Sequence, residues 1–301
     1  MAPIKSRMIS VSLLGAMVLM LFFSDEASQA VQQGLRLCAV SVIPSLFPFL
    51  VFSSLFFSTG GAFFLGTRLQ RVIGRLLGCG ETGVSVFFLS ALGGYPVGPR
   101  LIGQLYRSGQ LSREAAEHLL LFCNNAGPAF ILGFVGLGQF SSLRLGVSLY
   151  LIHILSAALI AIFFRPRRSF SAASSPPLTY APFPQALVSS IAEAGSTMVQ
   201  ICSFVTFFYT VLRLFSSLSG ISHPLVLGFA ELTCGILQLP HSPTGFVMAC
   251  ALLGWGGLSV HCQTAAVFSD TGLSSKNHLL GKLLHGIFAA ILGFFAQFLL
   301  C

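Results

Sequence analysis

The sequence predicts an all-α polytopic membrane protein made of two inverted repeats, each with a broken helix and a re-entrant hairpin. Three observations predict it. Of 301 residues 54% are hydrophobic and only 8% charged, with a mean hydropathy of +0.87, too apolar for a domain surrounded by water. Several apolar stretches are long enough to cross a bilayer, where every backbone N–H and C=O must be paired internally, so they read as helices. Diglycine breaks then recur in corresponding places of the two halves.

The first half covers residues 1–164. Lys5 and Arg7 precede an apolar run, which reads as an uncleaved span over about 8–24 with its basic end inside, although it imitates a secretory signal. Asp25 and Glu26 mark the outer side. A second span over about 30–58 holds Pro44 and Pro48 and must be kinked. Arg68, Arg71 and Arg75, spaced three and four apart opposite Leu65, Leu69, Val72, Ile73 and Leu76, predict a basic interfacial helix over 63–77.

Residues 82–108 are apolar up to Leu92, break at Gly93-Gly94-Tyr95-Pro96 and resume with Arg100, Gln104 and Arg107. A re-entrant hairpin keeps Arg107 and Arg113 on the inner side with the other arginines, whereas a crossing would put them outside. Ser112, Glu114 and Glu117 start a span over about 112–140, broken at Asn124-Asn125-Ala126-Gly127-Pro128. A span over about 143–164 ends at Arg165-Pro166-Arg167-Arg168, and the Ser/Pro-rich stretch 165–184 is a cytoplasmic linker.

The second half, 185–301, repeats the order: spans over about 185–218 and 275–300, with a hairpin over 244–272 broken at Gly256-Gly257. A shift of 163 positions superposes the two diglycines and places Gln263 on Arg100. Paired broken segments in inverted halves point to a transporter with its substrate site near the midplane.

Candidate binding residues follow from those breaks. Gly93, Gly94, Tyr95 and Pro96 leave backbone amides free inside the membrane, where irregular backbone is tolerated only against protein or a cavity; the alternative is a tight packing turn. Arg100, one turn later, must face a cavity, a carboxylate or a solute, or else snorkel to the interface. Asn124 and Asn125 bind solute or repair the break left by Pro128. Gly256, Gly257, His261 and Gln263 line the second break. Glu231, an acid in an apolar segment, is a proton or cation coupling site, or the internal partner of Arg100.

Composition and motif exclude other classes. The net charge of +8 sits in short clusters between apolar stretches, which fits membrane topology and not nucleic acid. The eight cysteines are scattered without metal-ligand spacing and read as small packing residues; no metal and no cofactor is expected. His118, His153, His223 and His285 form no H-E-x-x-H pair, and no nucleophile elbow, Walker or dinucleotide motif occurs, so no enzyme is expected.

The segments Val42-Ile43-Pro44-Ser45-Leu46-Phe47-Pro48-Phe49, Gly94-Tyr95-Pro96-Val97-Gly98-Pro99-Arg100, Phe122 to Phe130 and Glu231-Leu232-Thr233-Cys234-Gly235 make the chain resemble the YlbJ-type sporulation integral membrane proteins. That family is placed in the nucleoside-recognition, or Gate-domain, superfamily. The resemblance implies a bacterial cytoplasmic membrane, or the mother-cell-derived forespore membrane. It also implies a small anionic solute, the spore's dipicolinate, as partner, beside the bilayer and a homo-oligomer or sporulation membrane proteins. The alternatives are a non-transporting structural or regulatory protein of spore assembly and a carrier of nucleoside-type solutes. Gly93, where the family suggests a small hydroxyl, and Pro99, where it suggests Ala, depart from the pattern.

Overall fold

A computed structural model describes residues 4–60, 67–166 and 181–300, and every regular element among them is helical. The start of the expected interfacial helix, linker residues 167–180 with Arg167 and Arg168, and Cys301 lie outside the described residues.

Helix α1 (Ile4–Phe22) is apolar on all sides and leaves Met8, Leu13 and Met17 exposed, as a lipid-facing helix does, but its apolar part is shorter than the other spans. α2 (Ser24–Leu37) passes through a π-helical turn at Cys38–Val42 into α3 (Ile43–Ser58). Pro44 has no N–H to give Val40 and its ring crowds that carbonyl; the wide turn absorbs the misfit and the chain continues as one stretch, Ser24–Phe56.

α4 (Thr67–Leu77) exposes Arg68, Arg71 and Arg75 together with Leu69, Val72 and Leu76, and meets α5 (Gly80–Gly93) at 87°. α6 (Val97–Arg107) doubles back on α5. Leu89 packs on Leu101, and a Cβ added to Gly98 would meet the Ser90 side chain and collide with the Cys123 carbonyl oxygen. Only glycine lets α6 lie that close to the Cys123 backbone and the Ser90 side chain at once.

α7 (Arg113–Leu119) begins where the Ser112 hydroxyl accepts the Ala115 N–H at 3.2 Å. Cys123–Gly127 is non-helical, and a π-helical segment, Ala129–Gln139, follows Pro128. The expected span over 112–140 is therefore two short helical pieces around an extended break. α8 (Leu143–Phe163) lays Gly146 against Gly136, backbone to backbone.

α9 (Phe183–Ser219) is followed by the short pair α10 (Pro224–Ala230) and α11 (Leu232–Ile236), which turn at Glu231 and pack Gly228 on Gly235. Then come α12 (Pro243–Trp255), α13 (Gly257–Phe268) with a 3-10 turn at Ser269–Thr271, and α14 (Ser275–Leu300). Among the described residues five stretches are long and apolar enough to cross a membrane: 24–56, 143–163, 183–219, 243–271 and 275–300.

Two ends of the bundle can be told apart. At one, the Arg107 guanidinium pairs with Asp270, Arg113 donates to the Gly272 carbonyl, and Gly78 abuts Arg165. At the other, Gln139 donates to the Leu239 carbonyl at 2.9 Å, the Phe140 ring lies beside His241, and Arg144 donates to Leu299.

These ends correct the expected second hairpin. Residues 244–272 do not turn back at Gly256-Gly257: the stretch starts beside His241 at one end and reaches Asp270 at the other, as one 29-residue span. The 163-residue register also fails as a structural equivalence, because Gly94 sits at a fold-back between packed helices and Gly256-Gly257 in a break that the chain runs through. In the second half the doubled-back pair is α10 and α11, too short and glycine-poor at its turn to be recognised by pattern.

Candidate functional site

The interruptions meet. Gly94 takes a positive φ of 78° at the end of α5, and a Cβ there would lie 3.1 Å from the Gly127 nitrogen, so the α5–α6 turn and the Cys123–Gly127 break touch through their backbones. Gly257, with φ of 86°, brings the start of α13 against the α10–α11 turn; its Cβ would lie 2.9 Å from the Leu232 nitrogen. The Tyr95 hydroxyl ties the two regions together by donating to the Leu253 carbonyl at 2.7 Å.

A cavity of about 70 Å³ opens where they converge. Gly93, Gly94 and Tyr95 line it from the first turn and Gly127 from the extended break; Glu231 and Thr233 line it from the second turn, and Ser259 and Gln263 from α13. The remaining wall is apolar, from α3, α9 and Phe130. The Ser259 hydroxyl is buried without a hydrogen-bond partner among the described residues, an unmet polar group at the cavity wall.

Glu231 is 2% exposed. Its carboxylate accepts the Cys234 N–H at 2.7 Å and so caps α11, satisfying a donor that the helix start would otherwise leave bare. It does not partner Arg100. That guanidinium instead donates to Glu193 at 2.9 Å and to the Thr197 hydroxyl at 3.4 Å, in a separate cavity of about 240 Å³ with Ser53, Ser54 and Gln104. The Ser54 hydroxyl donates to the same carboxylate.

Asn124 and Asn125 do not line the cavity: the first donates to Thr264 at 3.0 Å, the second to Ser90 at 2.9 Å and the Phe122 carbonyl at 3.0 Å. Asn125 thus satisfies one backbone carbonyl beside the break, and the amide oxygens of both residues are buried without a hydrogen-bond partner among the described residues. Pro96 follows a cis Tyr95–Pro96 peptide and leads into α6. Gly256 lies against Tyr95 and Lys282, and His261 pairs with His278, their ring nitrogens 3.0 Å apart.

One buried group escaped the sequence reading. Lys282 is 1% exposed in the middle of the assembly, its ammonium donating to the Asn124 carbonyl at 3.0 Å and towards the Tyr95 hydroxyl at 3.5 Å. His278 and His285 flank it on the same face of α14, both buried. The spacing 278, 282, 285 inside an apolar 26-residue helix was a readable signal.

Compared with known proteins, the chain is 25% identical to the sporulation integral membrane protein YlbJ of Bacillus subtilis strain 168, in an alignment covering 89% of this chain and 76% of that protein. No family model matches, and no solved structure matches. The chain is an integral membrane protein.

Proposed function

We propose that this protein carries a small anionic solute across a bacterial membrane. The observation that carries the reading is the cavity at the meeting point of three chain interruptions and the start of α13. Irregular backbone at membrane depth exposes unpaired amides, and transporters use such broken helices to hold solutes. The N-terminal ends of α6 and α13 adjoin the cavity, and the positive ends of two helix dipoles favour negative charge. The apolar wall suits a flat ring. An aromatic dicarboxylate such as dipicolinate combines both features, and the YlbJ relative's place in sporulation supports it, with the mother-cell-derived forespore membrane as the setting.

In this reading α5–α6 and α10–α11 are re-entrant hairpins entering from opposite faces, and the inverted repeats pair α2–α3 with α9, the break after α7 with that after α12, and α8 with α14. The support is that the outer ends of the two pairs fall at opposite ends of the bundle. No covalent chemistry is proposed. Placement in the Gate-domain superfamily rests on the sequence motifs.

Counter-flow in proteoliposomes tests this. Purified protein preloaded with unlabelled dipicolinate is expected to accumulate the labelled compound transiently and saturably. Folded protein that exchanges a nucleoside but not dipicolinate would shift the solute class; folded protein that exchanges neither would favour a structural role in spore assembly.

A further inference from the structure

Lys282 sits between the Cys123–Gly127 break and the one at Gly256-Gly257. Pro128 has no N–H, so the Asn124 carbonyl loses the donor that a continuous helix would supply four residues on, and the Lys282 nitrogen takes that place at 3.0 Å. Its second acceptor is the Tyr95 hydroxyl at 3.5 Å, whose own hydrogen goes to Leu253. Around it are Tyr95 from the α5–α6 turn, His278 and His285 from α14, His261 from α13 and His153 from α8. Across Gly256-Gly257 lies Glu231, but no carboxylate forms an ion pair with Lys282 among the described residues.

Two features go beyond a structural plug. An ammonium offers three N–H donors and an amine two, and two acceptors are in place, so the site takes both donors of the neutral form and leaves the charged form one bond and one counter-charge short, with the Tyr95 ring 4.9 Å from the nitrogen as its partial compensation. The surrounding side chains are imidazoles, which as neutral rings add no counter-charge. His153 accepts the Ala126 N–H at its Nε2, so its ring proton is on Nδ1, where it has no acceptor among the described residues. A glutamine would cap the Asn124 carbonyl without any of this.

We propose that Lys282 is a proton-exchanging site. Its ammonium releases one H⁺ to water to become an amine and regains it from water in the opposite step, with the imidazoles as neutral neighbours. The inference rests on the transport reading only for its consequence, that solute movement is tied to protons.

The chain has three lysines, Lys5, Lys276 and Lys282, so K5R/K276R leaves one and keeps both other positive charges. This variant, labelled with ¹⁵N at the lysine Nζ and placed in lipid nanodiscs, is followed by nitrogen NMR without any solute. The expected result is a single signal that moves from the ammonium to the amine position between about pH 5 and pH 9, where an exposed lysine stays charged. A signal that stays ammonium throughout overturns the proposal and makes Lys282 a fixed cap. A signal that stays amine throughout overturns it as well. Because no solute is present, failure here is separate from failure of the counter-flow experiment.

Discussion

A carboxylate that caps a helix and faces a cavity does two jobs that substitution can separate. In Glu231→Gln the carboxamide oxygen can still accept the Cys234 N–H, so the start of α11 survives while the charge is lost. In Glu231→Ala both go, and the cost should be about 0.5–2 kcal/mol of stability, typical of a lost N-cap. Thermal melts in detergent should therefore place E231Q near the parent and E231A below it. If the charge couples solute to a gradient, E231Q keeps counter-flow but loses gradient-driven accumulation. An E231Q protein that accumulates solute as the parent does would remove Glu231 from coupling.

Arg100 illustrates the opposite case. A guanidinium in an apolar sequence suggests solute recognition, but the Glu193 carboxylate lies 2.9 Å away and both side chains are partly exposed, at 27% and 47%. Such a pair contributes about 0–1 kcal/mol after solvent screening. Arg100→Gln and Glu193→Gln should each lower the melting temperature slightly, and the double change should cost less than their sum. Additive effects would show that the two charges do not act on each other. The sequence announced that an arginine was present; the partner, 93 positions away on α9, could not be read from local pattern.

At the scale of elements, glycine sets how closely the interruptions approach. Gly98→Ala would drive a methyl into the Cys123 carbonyl and the Ser90 side chain, and neither backbone can yield without opening the α5–α6 pair. Gly109→Ala keeps a strained positive φ of 73° but meets open space. Yield of folded protein should fall severely for G98A and by an effect of about 1 kcal/mol for G109A. Similar losses for both would mean that the close approach at Gly98 does not decide the yield. The broken elements themselves were legible, because Gly93-Gly94 and Asn124 to Pro128 cannot continue a helix. The turn at Glu231 was not, since no proline or diglycine marks it, and two short helices read as one apolar segment.

For the whole molecule, the arrangement of charges supports one orientation. Arg68, Arg71, Arg75, Arg107, Arg113 and Arg165 gather at the end that also holds Asp270 and Gly272, and by the positive-inside rule we propose that this end is cytoplasmic. Long-range pairing was what the sequence lacked: a hairpin over 244–272 and a crossing span have the same composition, and contacts such as Arg107 with Asp270 at one end and Phe140 with His241 at the other distinguish them. The topology makes a direct prediction. In a background freed of native cysteines, single cysteines at Ser108, Lys276 and His241 report on exposed positions at the two ends. A membrane-impermeant maleimide added to intact cells should label His241→Cys and spare Ser108→Cys and Lys276→Cys, which react only after the membrane is opened. Labelling of Lys276→Cys together with His241→Cys from outside would restore the second hairpin and separate α13 from α6. Labelling of Ser108→Cys alone from outside would instead make α5 and α6 a crossing, and the cavity at Gly94 would then no longer lie at a turn.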